Sequence, residues 1–354
     1  MAERDGTGPA TLEQVARLAN VSRATVSRVV NGDPRVGSAA RAAVEEAIRE
    51  LGYVPNRAAR SLVTRRSGSV GVVIPEPTAH LFGDPFFPRV LRGIADGLAE
   101  ADTQLVLLMP QGRTDELRVE RYVGAGHVDG VLLVSLHGAD PLPHDLAARG
   151  IPVVVGGRPP RPGITFVDVD NRRGAAMAVE HLVAIGRRRI ATIAGPQDMP
   201  AGADRLAGYH ETLGAAGMPS DGLVEIADFS LDGGRSAMER LLAREPSLDG
   251  VFVASDLMAI GAMAAIQASG RDVPGDVAVV GFDDSPLAAG AHPPLSSVWQ
   301  PIEEMGREMA RLLTRAVATR EQVPRSVILA TELVVRASSG GHPAGSRGST
   351  DRSS

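Results

Sequence analysis

Residues 22–31 read SRATVSRVVN. On a helix, Val26, Val29 and Val30 share one face, which turns Arg23, Ala24, Ser27 and Arg28 outward. Guanidinium groups and small hydroxyls on an outer face can grip phosphate oxygens and base edges, the chemistry of a helix in a DNA groove. A second set of reactive types recurs after short apolar runs: Glu76, Ser135 to His137, Asp168 to Asp170, Asp228-Phe229, Ser255-Asp256 and Asp283-Asp284. Carboxylates accept paired hydroxyl hydrogen bonds, and an aromatic ring packs on the C–H face of a sugar. A purine would use the same ring, so these residue types leave both ligands open.

Other chemistry is argued against by what the chain lacks. It has no cysteine, so disulfides, thiolate metal sites and cysteine nucleophiles are excluded. It holds no GxxxxGK[ST] phosphate loop, GxGxxG fingerprint, HExxH motif or GxSxG elbow, and its eight His lack metal-ligand spacing. Neither an enzyme (a sugar kinase or hydrolase would be the competitor) nor a cofactor or metal is expected.

A length of 354 residues suits two or three domains. The net charge of −5 would argue against nucleic acid if it were spread evenly. It is not. Residues 9–66 hold ten Arg against five acids, so a head of net +5 precedes a remainder of −10. A basic head on an acidic body is expected when one end meets phosphate. The opening MAERDGTGPA has no apolar core of a signal peptide, and no later run approaches a membrane span. A cytoplasmic protein is expected, which counts against the other competitor, a transport-type solute-binding protein.

The elements that must position these groups are legible. Thr11-Leu12-Glu13-Gln14 is a capping box, followed by Leu12, Val15, Ala16 and Ala19 on one face. Asn20-Val21-Ser22 makes a tight turn, and Ser22 can cap the helix carrying Arg23 and Arg28. A third helix, about Ser38–Leu51, stops at Gly52. Pattern alone leaves open a structural bundle with solvated arginines beside a helix-turn-helix whose second helix meets base edges. Asn56 can cap a further helix running only to about Thr64, too short to be stable alone.

From Ser69 onward, apolar runs alternate with helical patterns. Ser69–Ile74, Gln104–Met109, Gly130–Val134, Ile151–Val155, Arg189–Ala194, Leu223–Ile226, Val251–Ala254 and Val277–Val280 read as strands. Pro88–Glu100, Asp115–Val123, Asp145–Arg149, Asn171–Ile185, Arg205–Ala216, Gly234–Ala243, Ala259–Ala268 and Ile302–Ala318 read as helices. Such alternation predicts parallel sheets covered on both faces, in two lobes. Ligands of open parallel sheets lie beyond the carboxyl ends of strands, where the polar residues above fall. Pro294–Gln300, with Trp299, reads as a crossover to the first lobe, and Val327–Val335 as strands that recross.

The run TLEQVARLANVSRATVSRVVNGDPRV, followed by ELGYVPNRAARSL, resembles the lactose-repressor (LacI/GalR) family of bacterial regulators. The likeness is tight over 11–66 and looser to about 337. It implies that Arg23 and Ala24 choose operator bases, that Ser27, Arg28 and Asn31 touch base edges and backbone, and that Thr11, Leu12 and Tyr53 make or support phosphate contacts. Ser22 joins the DNA-binding set, as do Asn56, Ala59 and Leu62 of the hinge, Leu62 matching a leucine that wedges into the minor groove. Arginine pairs with O6 and N7 of guanine, so a palindromic, G/C-rich operator is expected.

In the body the resemblance implies that Arg205, in ADRLAGYH, and Asp283, in VGFDDS, grip the ligand, with Phe87 and Phe229 flanking it. Ser255 stands where many sugar-binding members carry asparagine. Glu76, Ser135 and His137 complete the expected ligand set. VVIPEP, DPFFPRVLRGI, DGVLLVSLHGADPLP and QPIEEMGREM resemble an actinobacterial branch that senses cellobiose or cello-oligosaccharides. Other branches answer to other sugars or to purine corepressors.

The expected fold is therefore α/β: a three-helix helix-turn-helix domain (11–54), a hinge helix (55–66) and a two-lobed, periplasmic-binding-protein-like core. Its first lobe is expected at 67–165 and 297–325, its second at 166–296 and 326–337, with disordered tails at 1–10 and 338–354. The tail lacks leucine heptads, so a homodimer is expected. The expected function is repression of transcription, controlled by a small ligand, an oligosaccharide, held between the lobes.

Overall fold

The structure is a computed structural model and describes residues 10–30, 33–53, 66–320 and 323–340. Asn31, Asn56, Ala59, Leu62, the hinge helix before Arg66, and the tails before Ala10 and after Gly340 lie outside these residues. The chain divides into two units, Met1–Gly68 and Ser69–Ser354.

The first unit holds α1 (Leu12–Leu18), α2 (Arg23–Val30) and α3 (Ser38–Leu51). Thr11 and Gln14 close the capping box: Thr11 N–H donates to Gln14 Oε1 at 2.7 Å, and Gln14 N–H donates to Thr11 Oγ1 at 3.3 Å. Ser22 Oγ accepts from Thr25 N–H at 3.1 Å at the start of α2. Gly52 ends α3 at φ +59°, a left-handed cap that glycine adopts freely. Val15, Val26, Val29, Val44, Ala47 and Tyr53 form the core of this unit.

The second unit contains two six-stranded sheets among the described residues. The first comprises β1 (Ser69–Val73), β2 (Gln104–Leu108), β3 (Val131–Val134), β4 (Val153–Gly156), β5 (Thr165–Val169) and β11 (Ser326–Leu329), in the order β11-β5-β4-β3-β1-β2 and parallel throughout. The second comprises β6 (Ile190–Ala194), β7 (Val224–Ile226), β8 (Gly250–Val253), β9 (Ala278–Asp283), β10 (Ser296–Trp299) and β12 (Glu332–Val334), in the order β12-β10-β9-β8-β6-β7. Only its edge strand β12 is antiparallel, to β10.

Strands such as VLLV and GVFV are buried at every position because helices cover both faces. On the first sheet α5 (Phe86–Ala99) and α13 (Ile302–Thr319) cover one face, while α6 (Arg113–Gly124) and α7 (Leu142–Ala148) cover the other. On the second sheet α8 (Asn171–Ala184) and α9 (Pro200–Ala215) oppose α10 (Leu231–Arg244) and α11 (Asp256–Ala268). Helices α5 and α13 touch backbone to backbone: a Cβ on Gly93 would stand 2.0 Å from the Glu303 carbonyl oxygen.

Several sequence expectations need correction. The lobe limits at 165/166 and 296/297 cut through β5 and β10, and the limit at 325/326 assigns β11 to the second lobe; in the structure β5 and β11 belong to the first sheet and β10 to the second. The chain passes between sheets after β5, β10 and β11, several residues later than expected. Trp299 is the last residue of β10, opposite Asp283, rather than part of the connection. The short helices α4 (Thr78–Gly83) and α12 (Pro286–Gly290) and strand β5 were not expected. The tail does not begin at Ser338: Ala337–Ser339 form a 3₁₀ turn, with Ser338 and Ser339 buried. Ser338 Oγ donates to Val279 O at 2.7 Å and accepts from Ser296 N–H at 2.8 Å, which permits burial of a polar end.

Candidate functional site

In the first unit, Arg23, Ala24 and Arg28 are exposed on α2, while Ser27 is half-buried. The valine face pins this helix from behind, so its outer face is presented rigidly. Arg23 Nε lies 3.2 Å from Glu13 Oε1, with both side chains more than half exposed. Such a pair orients the guanidinium but holds it weakly, at about 0–1 kcal/mol. Thr11 is exposed at the start of α1, and Leu12 is half-buried. Tyr53 packs in the core, a supporting place and not an open one.

In the second unit a cleft lies between the two sheets at the carboxyl ends of their strands. Phe87, Ser135, Arg205, Phe229, Ser255 and Asp283 all line it. Glu76 and His137 do not. Glu76 lies buried beneath the wall, accepting hydrogen bonds from Ser135 Oγ, from His80 Nδ1 at 2.9 Å and from His137 Nε2 at 3.1 Å. Burial pushes its carboxyl up, but the hydrogen bonds from His137, His80 and Ser135 outweigh this and hold it at about 2. With its acceptors occupied, Glu76 props the wall. His137 Nδ1 meets Asp198 Oδ2 of the other lobe at 2.9 Å, so it bridges the lobes.

Arg205 rises from α9 and is gripped on several sides. Its Nε donates to Asn171 Oδ1 at 2.8 Å, one Nη donates to Ala254 O at 2.5 Å, and the guanidinium lies 3.6 Å over the Phe282 ring. Asp283 ends β9 and accepts from Gln300 Nε2 at 2.6 Å. Burial pushes its carboxyl well above the usual range, against the pull of Arg205. Ser255 caps α11, its Oγ accepting from Met258 N–H at 3.3 Å. The next residue, Asp256, is buried behind the cleft, where Ser285 N–H donates to it at 2.6 Å.

The backbone marks the same place. Ser135, Phe229 and Asp283 hold φ at +62°, +63° and +109°, values that side chains other than glycine rarely adopt. Such strain persists where surroundings impose it, and it gathers at binding sites. Phe229 is fixed by Gly195, where a Cβ would stand 2.1 Å from its ring.

Sequence reasoning missed several lining residues. Asp84, Asn171 and Gln300 reach the cleft because the chain turns or changes lobe beside them, which no local pattern announces. Asp168, noted only as a strand end, lines the floor: its Oδ1 accepts from Asn171 Nδ2 at 3.0 Å and its Oδ2 from Arg158 N–H at 3.0 Å. Among the described residues, no group of three or more His, Asp and Glu could hold a metal ion. The cleft offers fixed acceptors, one buried cation and aromatic walls, an arrangement for binding a compact polyhydroxy molecule.

Comparison with known proteins agrees with both units. Residues 11–56 match the lacI family of bacterial regulatory proteins, and residues 179–339 match the periplasmic binding protein-like domain. Over 332 residues the chain is 52% identical to the HTH-type transcriptional regulator CelR of Thermobifida fusca, covering 93% of this chain and 98% of that protein. The solved structure of a transcriptional regulator CelR–cellobiose complex superposes with a TM-score of 0.75 at 49% identity, covering 93% of this chain and 99% of that one. The lac repressor dimer bound to operator and the anti-inducer ONPF superposes with a TM-score of 0.81 at 28% identity, covering 94% and 99%.

Proposed function

This chain belongs to the lacI family of bacterial regulatory proteins, and from that premise we propose that it represses transcription by binding operator DNA under the control of cellobiose or a related cello-oligosaccharide. The carrying observation is that Arg205, Asn171 and Asp168, joined in one hydrogen-bonded row, line the same cleft as Phe87 and Phe229. A row of fixed donors and acceptors suits vicinal hydroxyls, and the rings suit the apolar faces of a pyranose. The 52% identity to CelR supports the choice of sugar.

In this reading Arg23 and Arg28 recognise guanines in each half-site, with Ala24 and Ser27 beside them and Ser22, Thr11, Leu12 and Tyr53 placing or supporting the helix. Asn31, Asn56, Ala59 and Leu62 extend the contact, and the hinge at 55–66 couples it to the core. Two copies read a palindrome, as dimers of lactose-repressor type do. The protein works where operator DNA is, in the cytoplasm; among the described residues, no helix is long and apolar enough to cross a membrane. It binds its sugar without turning it over.

Sugar closes the lobes, and closure alters the hinges of the dimer. A coupling of about 1–3 kcal/mol weakens operator binding by roughly 5- to 150-fold. The test is fluorescence anisotropy with a G/C-rich palindrome having a central CG step, with and without cellobiose. Tight binding that weakens with cellobiose is the expected result. Tight binding indifferent to cellobiose would overturn the choice of sugar, and no specific binding to any promoter fragment would overturn the whole reading.

A further inference from the structure

We propose that two ion pairs spanning the lobes, Arg158 with Asp204 and His137 with Asp198, form an end wall of the cleft and set how long an oligosaccharide it accepts. The inference rests on the sugar reading above. One Nη of Arg158, in the loop after β4, donates to both carboxylate oxygens of Asp204 on α9, at 2.6 and 2.7 Å. His137, in the loop after β3, meets Asp198 at 2.9 Å, and the backbone reinforces this join, Gly138 N–H donating to Asp198 O at 2.9 Å. Both bridges thus run from first-lobe loops to one short stretch of the second lobe.

That stretch is part of the cleft. Met199, Pro200 and Ala201, between the two aspartates, line it, as Arg158 does from the other lobe. The chain itself passes between sheets after β5, β10 and β11. Arg158 stands beside the first of these, its backbone N–H bonded to Asp168 of β5, so the pairs add side-chain links between the lobes to the covalent ones. His137 cannot easily swing aside, because Glu76 holds its other ring nitrogen at 3.1 Å.

A β-linked glucan is linear and extends only from its ends. A glucosyl unit projecting past Met199–Ala201 must displace one of the pairs. Each is partly exposed, with side-chain exposures of 53% and 22% for Arg158–Asp204, and of 40% and 52% for His137–Asp198. Exposed pairs of this kind contribute up to about a fivefold factor in an equilibrium. The wall therefore grades chain length instead of forbidding long chains outright.

The test is calorimetric titration of the full-length protein with cellobiose, cellotriose, cellotetraose and cellopentaose. It compares the wild type with Asp204→Ala, Asp198→Ala and Asp204→Glu. Asp204 does not line the cleft, so Asp204→Ala acts through the wall and not through a lost sugar contact. In the wild type, affinity is expected to drop beyond a definite length. Each alanine variant should shift the preference toward longer sugars by up to about fivefold, while Asp204→Glu, which keeps the charge, retains the wild-type order. Operator binding without sugar reports that the variants are folded. A length profile that is flat in the wild type, or identical in folded Asp204→Ala and Asp198→Ala, overturns the inference alone. Failure of every cello-oligosaccharide to bind the wild type overturns the sugar reading, and this inference with it.

Discussion

Arg205 holds its guanidinium 3.7 Å from the Asp283 carboxylate, and both side chains are buried. Arg205→Ala removes the donor to the buried Asn171 Oδ1 and Ala254 O and the cation over the Phe282 ring, and a buried acceptor left unpaired costs about 1–3 kcal/mol. The variant should therefore destabilise the core by at least about that amount and abolish sugar binding. Asp283→Asn should be much milder for stability, because burial already favours the uncharged acid. Its sugar affinity should still fall by about tenfold or more, since an amide cannot replace an acidic oxygen in every hydrogen bond. Urea unfolding and calorimetry would separate the two effects; equal losses of stability would contradict this account of Asp283.

Stability should depend on pH through the cluster around Glu76. The carboxylates of Asp84 and Glu76 hold the His80 imidazolium up to about 10. Glu76 and then Asp198 hold His137 up to about 9, although burial opposes it. Groups raised in the folded state stabilise it fully below their ordinary value of 6.5, and this contribution drains away as pH climbs through the raised values. Glu76 is shifted the other way: its contribution is present above its ordinary 4.5 and is lost as pH falls toward about 2. Taken by itself, this cluster's contribution to the unfolding midpoint of the core should be level between these ordinary values and fall on the alkaline side; the raised carboxyls of Asp256 and Asp283 add a decline of their own that begins above their ordinary 3.8. His137→Gln should flatten that alkaline decline. An unchanged slope in the variant would remove His137 from the cause.

On the DNA side, Arg23→Ala should weaken binding to a G/C-rich operator by about 1–3 kcal/mol and relax the preference at one base pair per half-site. Glu13→Gln, which frees Arg23 from its 3.2 Å ion pair, should change affinity only slightly. Anisotropy at fixed salt would measure both. A uniform loss across all sequences with Arg23→Ala would reassign this residue to phosphate contact.

Gly195→Ala offers a test of the aromatic wall without touching a ring. The added methyl would stand 2.1 Å from Phe229, so the ring must leave its place. Sugar affinity should fall by about tenfold or more, comparable to losing a packed aromatic contact. Operator binding in the absence of sugar should persist. Undiminished affinity for cellobiose would show that Phe229 is not a wall of the sugar site.

Legibility in the sequence followed the range of the forces involved. The capping box of α1 and the valine face of α2 were readable because they depend on residues three or four places apart. The carboxyl ends of strands pointed to Ser135, Ser255 and Asp283, and the family resemblance added Arg205 and the two phenylalanines. Strand β10 escaped because Ser296 and Ser297 look like turn residues. In the structure their hydroxyls are satisfied by Arg336 O and Asp256, so they can be buried. Strand β5 escaped because Asp168 interrupts its apolar run, yet that carboxylate has three hydrogen-bond partners. For Glu76 and His137 the sequence pointed to the right region, but only the geometry shows that their polar atoms are engaged by other side chains.

The order of strands also bears on how the protein is made. Strand β11, an edge of the first sheet, comes from Ser326–Leu329 and pairs with β5 some 160 residues earlier in the chain. The second sheet likewise waits for β12 and for the buried serines at 338 and 339. Neither lobe can be completed on the ribosome until residues 326–339 have been made, so the two should fold together rather than one after the other. A chain released early, near residue 320, would carry β5 with an open edge, a template for pairing with other nascent copies. The discontinuity that lets the lobes share a cleft thus leaves the edge of β5 uncovered until β11 arrives.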